Sequence, residues 1–479
     1  MENVMGSSVY SPVSEKVVED LVALLGRSGV TTDREKCLAY SVDETIPRFE
    51  REYAAEAVCF PEDTAQVSAV LRYANEHRIP VTPRGAGTGL SGGAVPACGG
   101  IVLSMERMNA ILEVDRENRT LTTEPGVVTA DVTKAARNSG LFYAGDPCSG
   151  DISFIGGNVA ENAGGNKVIK YGATGAHVLG LEAVLPDGSV VTFGGRRRKD
   201  VTGYDFVHLL VGSEGTLAVV TKIILNLIPL PKRVTDLLVP MPSLEAAVKL
   251  VSLVTTEGGV VPSSVEFMDR NSILNVERYT SLRIPHSDAA AQLIIQMDGM
   301  DRRQLWGDVE KTGDLCVRNG ALEVFVAEDR NARDRVWRIR KYVAAEEWTY
   351  SMPVLSKEDI VVPTSAVAAF LTRLPRITER HRATYNAYGH IADGNIHITI
   401  FPDGIAPEED LHELAVPLRR ELYACVNDLG GTLSGEHGTG LKRKEYTDIF
   451  LNEAQRALMK RVKRAFDPNN ILNPSKMLP

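Results

Sequence analysis

The sequence predicts an α+β protein with at least two domains, and three observations lead to this prediction. At 479 residues, the chain is longer than one hydrophobic core usually organises. Up to residue 231, short strands and helices alternate with dense glycine clusters, and the strands are too closely spaced for one doubly wound sheet. Beyond that point the glycines thin out, and strands alternate with amphipathic helices. We therefore expect a first domain at 1–231, a second α+β domain at 232–410 and a C-terminal helical segment at 411–479.

The composition is that of an ordinary globular protein, with 44% apolar and 24% charged residues. The formal net charge of −9 argues against a nucleic-acid partner, because such proteins usually have a basic excess. None of the six cysteines forms a C-x-x-C pair, which excludes a typical iron–sulfur or zinc-ribbon motif and favours reduced cytosolic thiols. We expect no signal peptide, because the first 15 residues have no basic stretch followed by an apolar core, and no apolar run reaches the roughly 18 residues that a transmembrane segment needs. We expect a cytoplasmic protein that reaches any membrane through a partner.

In the first half, periodicity and turn residues predict short elements around two glycine-rich blocks. Ser14 is a candidate cap for a helix at 14–27, and Asp63 or Thr64 starts a helix that ends near His77. A Pro-Asp-Gly-Ser turn predicts that two of the later strands form a hairpin. The predicted strands are 56–60, 101–105, 111–115, 119–124, 178–185, 190–193 and 217–228, and the other helices are 130–139 and 206–210.

In the second half, longer strands and amphipathic helices alternate, which indicates a separate α+β domain. The predicted strands are 235–240, 261–267, 292–298, 321–326 and 359–363, followed by a strand–turn–strand unit at 384–401. The predicted helices are 243–257, 303–319, 328–348, 364–381, 407–429 and 451–466.

The glycine-rich stretch at 82–93 predicts a phosphate-binding loop. Glycines are this dense where a backbone takes positive φ or a ligand approaches closely, and Arg84, Thr88 and Ser91 add a cation and hydroxyl groups. A Rossmann site would need a helix after the third glycine of G-x-G-x-x-G, Gly92, but a glycine, a proline and a strand follow. A P-loop would need Gly-Lys-Ser/Thr after the glycines, and the sequence has none. Both a nicotinamide site and a nucleoside triphosphatase are therefore disfavoured.

The unit at 384–401 places two histidines on one face. An Asp-Gly dipeptide at 393–394 predicts a two-residue turn, which would pair His390 directly with His397 at a Cβ separation of roughly 5 Å. Two histidines and a carboxylate are a common ligand set for Zn²⁺, Fe²⁺ or Mn²⁺, and Glu436 in a later glycine-rich loop is the candidate carboxylate. The alternative is a hydrogen-bonded histidine pair and an exposed acidic loop. The pattern by itself leaves both interpretations open.

The glycine-rich loop is the first of a series of motifs distributed over most of the chain. The series comprises RGAGTGLSGG at 84–93, EPGV at 124–127, GDP at 145–147, IGGN at 155–158, ENAGG at 161–165, KYG at 170–172, GSEGT at 212–216 and FDPNNILNP at 466–474. In this order they resemble the FAD-binding domain of the vanillyl-alcohol oxidase/p-cresol methylhydroxylase (PCMH) superfamily, in particular its branch of glycolate oxidase D subunits, D-lactate dehydrogenases and D-2-hydroxyglutarate dehydrogenases. The resemblance implies a two-subdomain PCMH-type FAD-binding domain, an α+β (ferredoxin-like) cap domain and a C-terminal helical segment.

The resemblance implies that the FAD pyrophosphate lies on the glycine-rich loops and that the isoalloxazine ring faces the cap domain. The residues implied to bind FAD are Pro83, Arg84, Gly85, Ala86, Gly87, Thr88, Gly89, Ser91, Gly92, Glu124, Pro125, Gly126, Val127, Asp146, Pro147, Ile155, Gly156, Gly157, Asn158, Asn162, Ala163, Gly164, Gly165, Tyr171, Gly172, Glu214, Gly215 and Asn473. Some members attach FAD through a histidine near the first loop, but none lies between Arg78 and Tyr171, so we expect non-covalent FAD. We interpret Cys148 as a small buried thiol and not as a covalent anchor.

The resemblance also assigns roles in the second half of the chain. The residues that match the metal ligands of the branch are His390, His397 and Glu436, and those that match its catalytic positions are His437, Arg340, Lys357 and Asn395. Arg340 and Lys357 match the positions that bind the substrate carboxylate, which needs a cation. Lys357 is followed by Glu-Asp where relatives often have an aromatic residue and Asp. The chain length of the substrate therefore stays open.

Together these features predict an FAD-dependent dehydrogenase for a D-2-hydroxy acid, with D-lactate or glycolate as first choice and D-2-hydroxyglutarate as second. The metal would hold the 2-hydroxyl, His437 would take its proton, and the C2 hydride would pass to flavin N5. Because the chain has no iron–sulfur motif or nicotinamide site, the electrons would leave to an electron-transfer flavoprotein, an iron–sulfur subunit or quinone. The alternatives are an O₂-using oxidase and a non-catalytic flavin electron-transfer subunit, which would not need the two histidines. The oligomeric state stays open.

Overall fold

The computed structural model of the chain describes residues 9–45, 53–344, 353–404 and 411–478, and it divides into two compact units. The first unit comprises Met1–Ala163, Ala173–Leu230 and Glu436–Pro479, and the second comprises Gly164–Gly172 and Pro231–Gly435. The division thus falls at Pro231, as the glycine distribution suggests. The sequence-based boundary at 410 differs from it, because the second unit continues through the helix that follows and ends at Gly435.

The first unit contains two main sheets. A four-stranded sheet, in which the last three strands are parallel, has the order Val30–Thr31, Ala57–Cys59, Ile101–Ser104, Val81–Arg84. A five-stranded antiparallel sheet has the order Ile111–Asp115, Thr120–Thr123, Val219–Asn226, Val178–Val184, Val190–Gly194. Two short strands, Leu141–Phe142 and Ile228–Pro229, pair separately. Each main sheet has its own cluster of buried apolar side chains, which is the arrangement expected of two subdomains.

Several helices of the first unit begin where the sequence places polar caps. Ser14 Oγ accepts a hydrogen bond from Val17 N, and Asp63 Oδ1 accepts one from Gln66 N at 2.8 Å. The helices are Glu15–Leu25, Arg34–Ala39, Thr64–His77, Thr129–Asn138, Ile155–Glu161, Phe206–Leu210, Thr447–Phe450 and Glu453–Phe466. The helix Ile155–Glu161 was not predicted, because it contains two glycines and glycine is a poor helix former.

The second unit is built on a seven-stranded antiparallel sheet. Its strand order is Phe325–Ala327, Arg233–Met241, Ala291–Gly299, Ser264–Asp269, Ala383–His390, Asn395–Pro402, Ser356–Val361. Its helices are Val168–Tyr171, Leu244–Thr256, Arg270–Tyr279, Arg302–Arg318, Arg330–Ala344, Val367–Arg380 and Leu411–Asp428. The helix Arg270–Tyr279, which Asp269 caps, was not predicted. The predicted helix start near 407 and helix end near 348 lie outside the described residues.

One face of this sheet is packed by two helices and continues into a polar patch. Apolar side chains from Arg270–Tyr279 and Arg330–Ala344 form a buried cluster with Leu238, Met268 and Ile294 of the sheet. Direct cross-strand neighbours point to the same face, so the rows that contain these three residues identify the other side chains on it. Within the described residues, no helix is long and apolar enough to cross a membrane.

Candidate active site

The two histidines lie on this face of the sheet, but in a different register from the predicted one. His397 pairs with Tyr388, whereas His390 pairs with Glu266 on the other neighbouring strand. The predicted two-residue turn is wrong, because a short 3₁₀ helix and Gly394, with φ of 81°, join the strands. Since the register moves by two residues, His390 stays on the same face. The two imidazole ring centroids lie 5.3 Å apart.

Glu266 is fully buried and binds the side chains of His390 and Arg340. His390 Nδ1 donates to its Oε1 at 2.7 Å, and Arg340 Nε donates to its Oε2 at 2.8 Å. Burial raises the pKa of this carboxyl, but the charges and hydrogen bonds of His390 and Arg340 outweigh burial and lower the pKa to about 2. Glu266 is therefore ionised, and it fixes His390 with Nδ1 toward the carboxylate and Nε2 directed away from it.

Asp359 backs the second histidine. It is the direct cross-strand neighbour of His397 and is fully buried, with Oδ1 at 3.6 Å from His397 Nδ1. Asn395 Nδ2 donates to the same Oδ1 at 2.7 Å, while Ser434 Oγ and Gly435 N donate to Oδ2 at 2.7 and 3.0 Å. One carboxylate thus orients a histidine, the predicted catalytic residue Asn395 and the backbone that leads into Glu436.

The donor set of this face fits a divalent metal. A metal-binding histidine usually engages a carboxylate or carbonyl through its second ring nitrogen, and this interaction sets the tautomer and orients the ring. Glu266 stands in that relation to His390, whereas Asp359 lies beside His397 at 3.6 Å, beyond hydrogen-bond distance. Glu436, which the sequence selects as third ligand, follows Gly435 directly in the chain and begins the last segment of the first unit. Its Oε1 lies 3.7 Å from Nε2 of its neighbour His437.

Both predicted carboxylate-binding cations belong to the histidine face. Arg340 reaches Glu266 from the helix Arg330–Ala344, and its Cζ lies 4.9 Å from the ring centroid of Tyr388. Lys357 is half-buried and precedes Asp359 by two residues on one strand, so both side chains point to the same face. The second unit therefore contains five predicted site residues, Arg340, Lys357, His390, Asn395 and His397, together with the carboxylates Glu266 and Asp359 beside the two histidines.

The sequence did not predict Glu266 and Asp359. A signal for Glu266 was present, because it lies between Val265 and Phe267 in a predicted strand, and glutamate is almost never fully buried unless it is paired. A signal for Asp359 was its spacing of two from Lys357. Neither signal identifies the histidine beside which the carboxylate lies, because this depends on the order of the strands in the sheet.

Loops of the first unit form a glycine-lined cradle. A Cβ at Gly85 would lie 3.5 Å from Gly157 Cα, and one at Gly156 would lie 2.5 Å from Pro125 Cβ, so these loops touch through bare backbone. No heavy atom of the described chain lies within 4 Å of a Cβ built at Gly157, which leaves open space beside the loop. Ser91 Oγ is buried and has no hydrogen-bond partner among the described residues. An open space lined by glycine backbone and a hydroxyl fits a phosphate group.

A cavity of about 540 Å³ lies in the same unit beside the turn that contains Gly126 and Val127. Its lining includes the polar side chains of Asn109, Lys134 and Asn138. Its size lies within the range of small-molecule sites. The first unit therefore has room for a ligand close to the EPGV motif.

Several residues predicted to bind FAD hold the loops to their surroundings. They form these hydrogen bonds: Arg84 Nη1 to Val42 O (2.6 Å), Ala110 N to Glu124 Oε2 (2.8 Å), Gly175 N to Asn162 Oδ1 (2.8 Å), and Asn473 Nδ2 to Gly93 O (3.0 Å) and Glu214 O (2.8 Å). Gly164, Gly165, Tyr171 and Gly172 belong to the second unit, where Tyr171 OH donates to Asp298 at 2.9 Å.

The interpretation of Cys148 as a buried thiol is wrong, because this residue is exposed.

Two glycine-loop subdomains followed by an antiparallel sheet with a histidine pair define a flavin-dependent oxidoreductase. Family models identify it further: residues 55–194 match an FAD binding domain, and residues 230–477 match the C-terminal domain of FAD linked oxidases. The chain belongs to the FAD-linked oxidase family. The fold class, the FAD cofactor and the assignment as an FAD-linked enzyme are thereby confirmed.

Individual proteins support this membership. The chain is 37% identical to glycolate oxidase subunit GlcD of Bacillus subtilis, over 97% of both chains. It is 35% identical to a D-lactate dehydrogenase of Anaerostipes hadrus (86% of this chain, 87% of the relative) and 31% identical to a D-2-hydroxyglutarate dehydrogenase of Stutzerimonas stutzeri (96% and 98%). The solved structure of p-cresol methylhydroxylase superposes with a TM-score of 0.77, 20% identity and 96% coverage of each chain, which shows the shared fold.

Proposed function

We propose that this protein oxidises a D-2-hydroxy acid to the corresponding 2-oxo acid, with D-lactate or glycolate as the first candidate and D-2-hydroxyglutarate as the second. The observation that supports this most directly is the pair His390 and His397, each backed by a buried carboxylate, on one face with Arg340 and Lys357. The names of the relatives, which cover nearly the whole chain, support the same substrate class.

The two groups that the family implies have separate tasks. When bound, FAD supplies the hydride acceptor, and a divalent metal (Zn, Fe or Mn) supplies a Lewis acid for the hydroxyl oxygen. His390 and His397 would hold the metal together with Glu436, and the glycine-rich loops of the first unit would hold FAD without a covalent bond. His437 would take the hydroxyl proton as general base.

The charge of the substrate is met by cations that the protein holds in advance. Arg340 is fixed through Nε by Glu266, and Lys357 lies on the strand that also contains Asp359. Together with Asn395 they would orient the carboxylate, so that binding needs little reorganisation. Loss of the hydroxyl proton to His437 and of the C2 hydride to flavin balances the oxidation to the 2-oxo acid. The electrons would then leave to a separate acceptor: an electron-transfer flavoprotein, an iron–sulfur subunit or quinone.

Anaerobic reduction of the bound flavin tests the proposal. D-lactate, glycolate and D-2-hydroxyglutarate are added separately to the FAD-loaded protein, with L-lactate as stereochemical control, and the loss of flavin absorbance is followed. We expect at least one of the three acids to bleach the flavin, with L-lactate much slower. His390→Ala should abolish bleaching while FAD stays bound, and metal analysis on the same preparations should show the loss of the ion. If none of the acids reduces the wild-type flavin, the dehydrogenase assignment is wrong, and the result favours a non-catalytic flavin electron-transfer subunit.

A further inference from the structure

We propose that Glu214 is a positioning residue that fixes the backbone following Glu436 and His437, instead of a residue that contacts FAD. The proposal rests on the proposed function, because it concerns the segment that would contribute the third metal ligand and the general base. Glu214 belongs to the GSEGT motif and is 5% exposed.

The carboxylate of Glu214 clamps two successive peptide groups. Thr439 N donates to its Oε1 and Gly440 N to its Oε2, each at 2.7 Å. Charge-assisted hydrogen bonds of this kind are about twice as strong as neutral ones. Because each oxygen binds its own N–H group, the clamp fixes both the position and the orientation of the peptide plane two residues after His437.

The backbone of Glu214 is itself anchored to the glycine-rich loops. Its N–H donates to Ala160 O at 2.8 Å, and its carbonyl accepts from Asn473 Nδ2 at 2.8 Å. Asn473 Nδ2 also donates to Gly93 O at 3.0 Å. The clamp therefore connects the segment after His437 to the same glycine-rich loops that form the cradle.

The clamped segment has the sequence that such a close approach requires. Gly438 has φ of 82° and Gly440 has φ of 53°. A Cβ at Gly438 would lie 2.2 Å from Glu161 Oε2 and 3.0 Å from Glu214 Oε1, and one at Gly440 would lie 2.2 Å from Ser91 O. Both glycines are needed because the backbone passes directly against carboxyl oxygens and the first glycine-rich loop.

This arrangement argues against a direct contact between Glu214 and the FAD pyrophosphate. A carboxylate next to a phosphate is repelled, and both oxygens of Glu214 already accept from the protein backbone. On the other side of Glu436, Gly435 N donates to Asp359. The two residues with proposed chemistry, Glu436 and His437, thus lie between two backbone anchors, one carboxylate before them and one after.

The variant Glu214→Gln tests the clamp in the full-length, FAD-loaded protein. Glutamine keeps the size of the side chain but offers one oxygen and one NH₂ donor, so one of the two N–H groups loses its acceptor. Hydrogen exchange at the peptide that contains Thr439 and Gly440 should accelerate about 10–100-fold, the equivalent of one charge-assisted hydrogen bond. The rate of flavin reduction by the best acid should fall by a similar factor, with the flavin spectrum and reoxidation by ferricyanide unchanged. Glu182→Gln is the matched control, because Glu182 is a partly buried carboxylate of the same unit that binds Lys222.

The outcomes separate this inference from the proposed function. Faster exchange at Thr439 and Gly440 in Glu214→Gln, but not in Glu182→Gln, together with slower flavin reduction, supports the positioning role. Unchanged exchange, or faster exchange with a flavin reduction rate within twofold of wild type, overturns it. If no acid reduces the wild-type flavin, the proposed function fails. Wild type and Glu214→Gln are then titrated with Mn²⁺ to test the positioning role separately. Equal Mn²⁺ affinities overturn the positioning role, and weaker binding by Glu214→Gln supports it.

Discussion

Two buried glutamates, one in each unit, have pKa values that are shifted in opposite directions because their neighbours differ. Burial raises the pKa of both Glu266 and Glu161. At Glu266, His390 and Arg340 reverse this effect and bring the pKa to about 2. At Glu161, the carboxylates of Glu214 and Asp43 raise the pKa further, and the opposing charges of Arg443 and Lys476 do not restore it. Burial therefore determines the free-energy cost of an ionised glutamate, whereas the charge of its neighbours determines whether its pKa falls or rises.

The same difference separates the two units. In the second unit, an ionised carboxylate can orient a histidine and an arginine because it attracts both. In the first unit, burial and the carboxylate of Glu214 raise the pKa of Glu161, and order comes from backbone contacts, as at Gly438 beside Glu161 Oε2. Charge-changing substitutions should therefore act strongly at Glu266 and weakly, with opposite sign, at Glu161.

The largest effect is expected for Glu266→Ala. This change removes the carboxylate that both Arg340 Nε and His390 Nδ1 bind, and so removes the counter-charge that Glu266 provides to the buried guanidinium. Breaking a buried ion pair in this way costs about 3–5 kcal/mol. Urea denaturation at pH 7, followed by tryptophan and flavin fluorescence, should show this loss in the free energy of unfolding. A loss below about 1 kcal/mol, the usual value of an exposed pair, would contradict the stabilising role of the buried ion pair between Glu266 and Arg340.

Glu266→Gln should have a smaller effect on stability and a clear effect on metal binding. Glutamine keeps the shape of the side chain but no longer holds His390 by an ionic hydrogen bond. Loss of such a partner of a metal-binding histidine typically costs about 10–100-fold in metal affinity. Equilibrium dialysis of metal-depleted wild type and variant against Zn²⁺ or Mn²⁺ measures the change, and the flavin absorbance should show full FAD occupancy in both. Equal affinities would contradict the role of Glu266 behind His390.

How much of this site the sequence could predict depends on the range of the interactions. Capped helices such as Thr64–His77 and the hairpin of Val178–Val184 with Val190–Gly194 follow from residues that are close in the chain, and they were predicted. The glycine motifs indicated FAD in a different way, through their resemblance to the motifs of a known family over most of the chain. The register of His390 was predicted wrongly, because it depends on its pairing with Glu266, which lies 124 residues away. Alternation along a strand still gave the correct face, since the error was an even number of residues.

Acid stability should show the ionised state of Glu266. Its pKa is about 2 in the folded protein and about 4.3 when unfolded. Between these values the unfolded chain binds more protons, so the contribution of Glu266 to stability is fully present above pH 4.3 and is lost as the pH falls toward 2. The difference in unfolding free energy between wild type and Glu266→Gln should be constant near pH 6 to 7 and should shrink below about pH 4.3. A difference that grows on acidification would show the reverse shift.

The smallest effect, and the one of opposite sign, is expected for Glu161→Gln. Because the folded pKa of Glu161 lies well above its ordinary value, the folded protein binds more protons than the unfolded chain between the two values. Stability therefore falls as the pH rises through this range, and a neutral glutamine escapes the penalty. We expect Glu161→Gln to match wild type at pH 4 and to be more stable at pH 8 by about 1 kcal/mol, the usual cost of a buried polar group with poor hydrogen bonding. If the variant is instead less stable at pH 8, Glu161 is ionised there, and cations such as Arg443 and Lys476 outweigh the repulsion by Glu214.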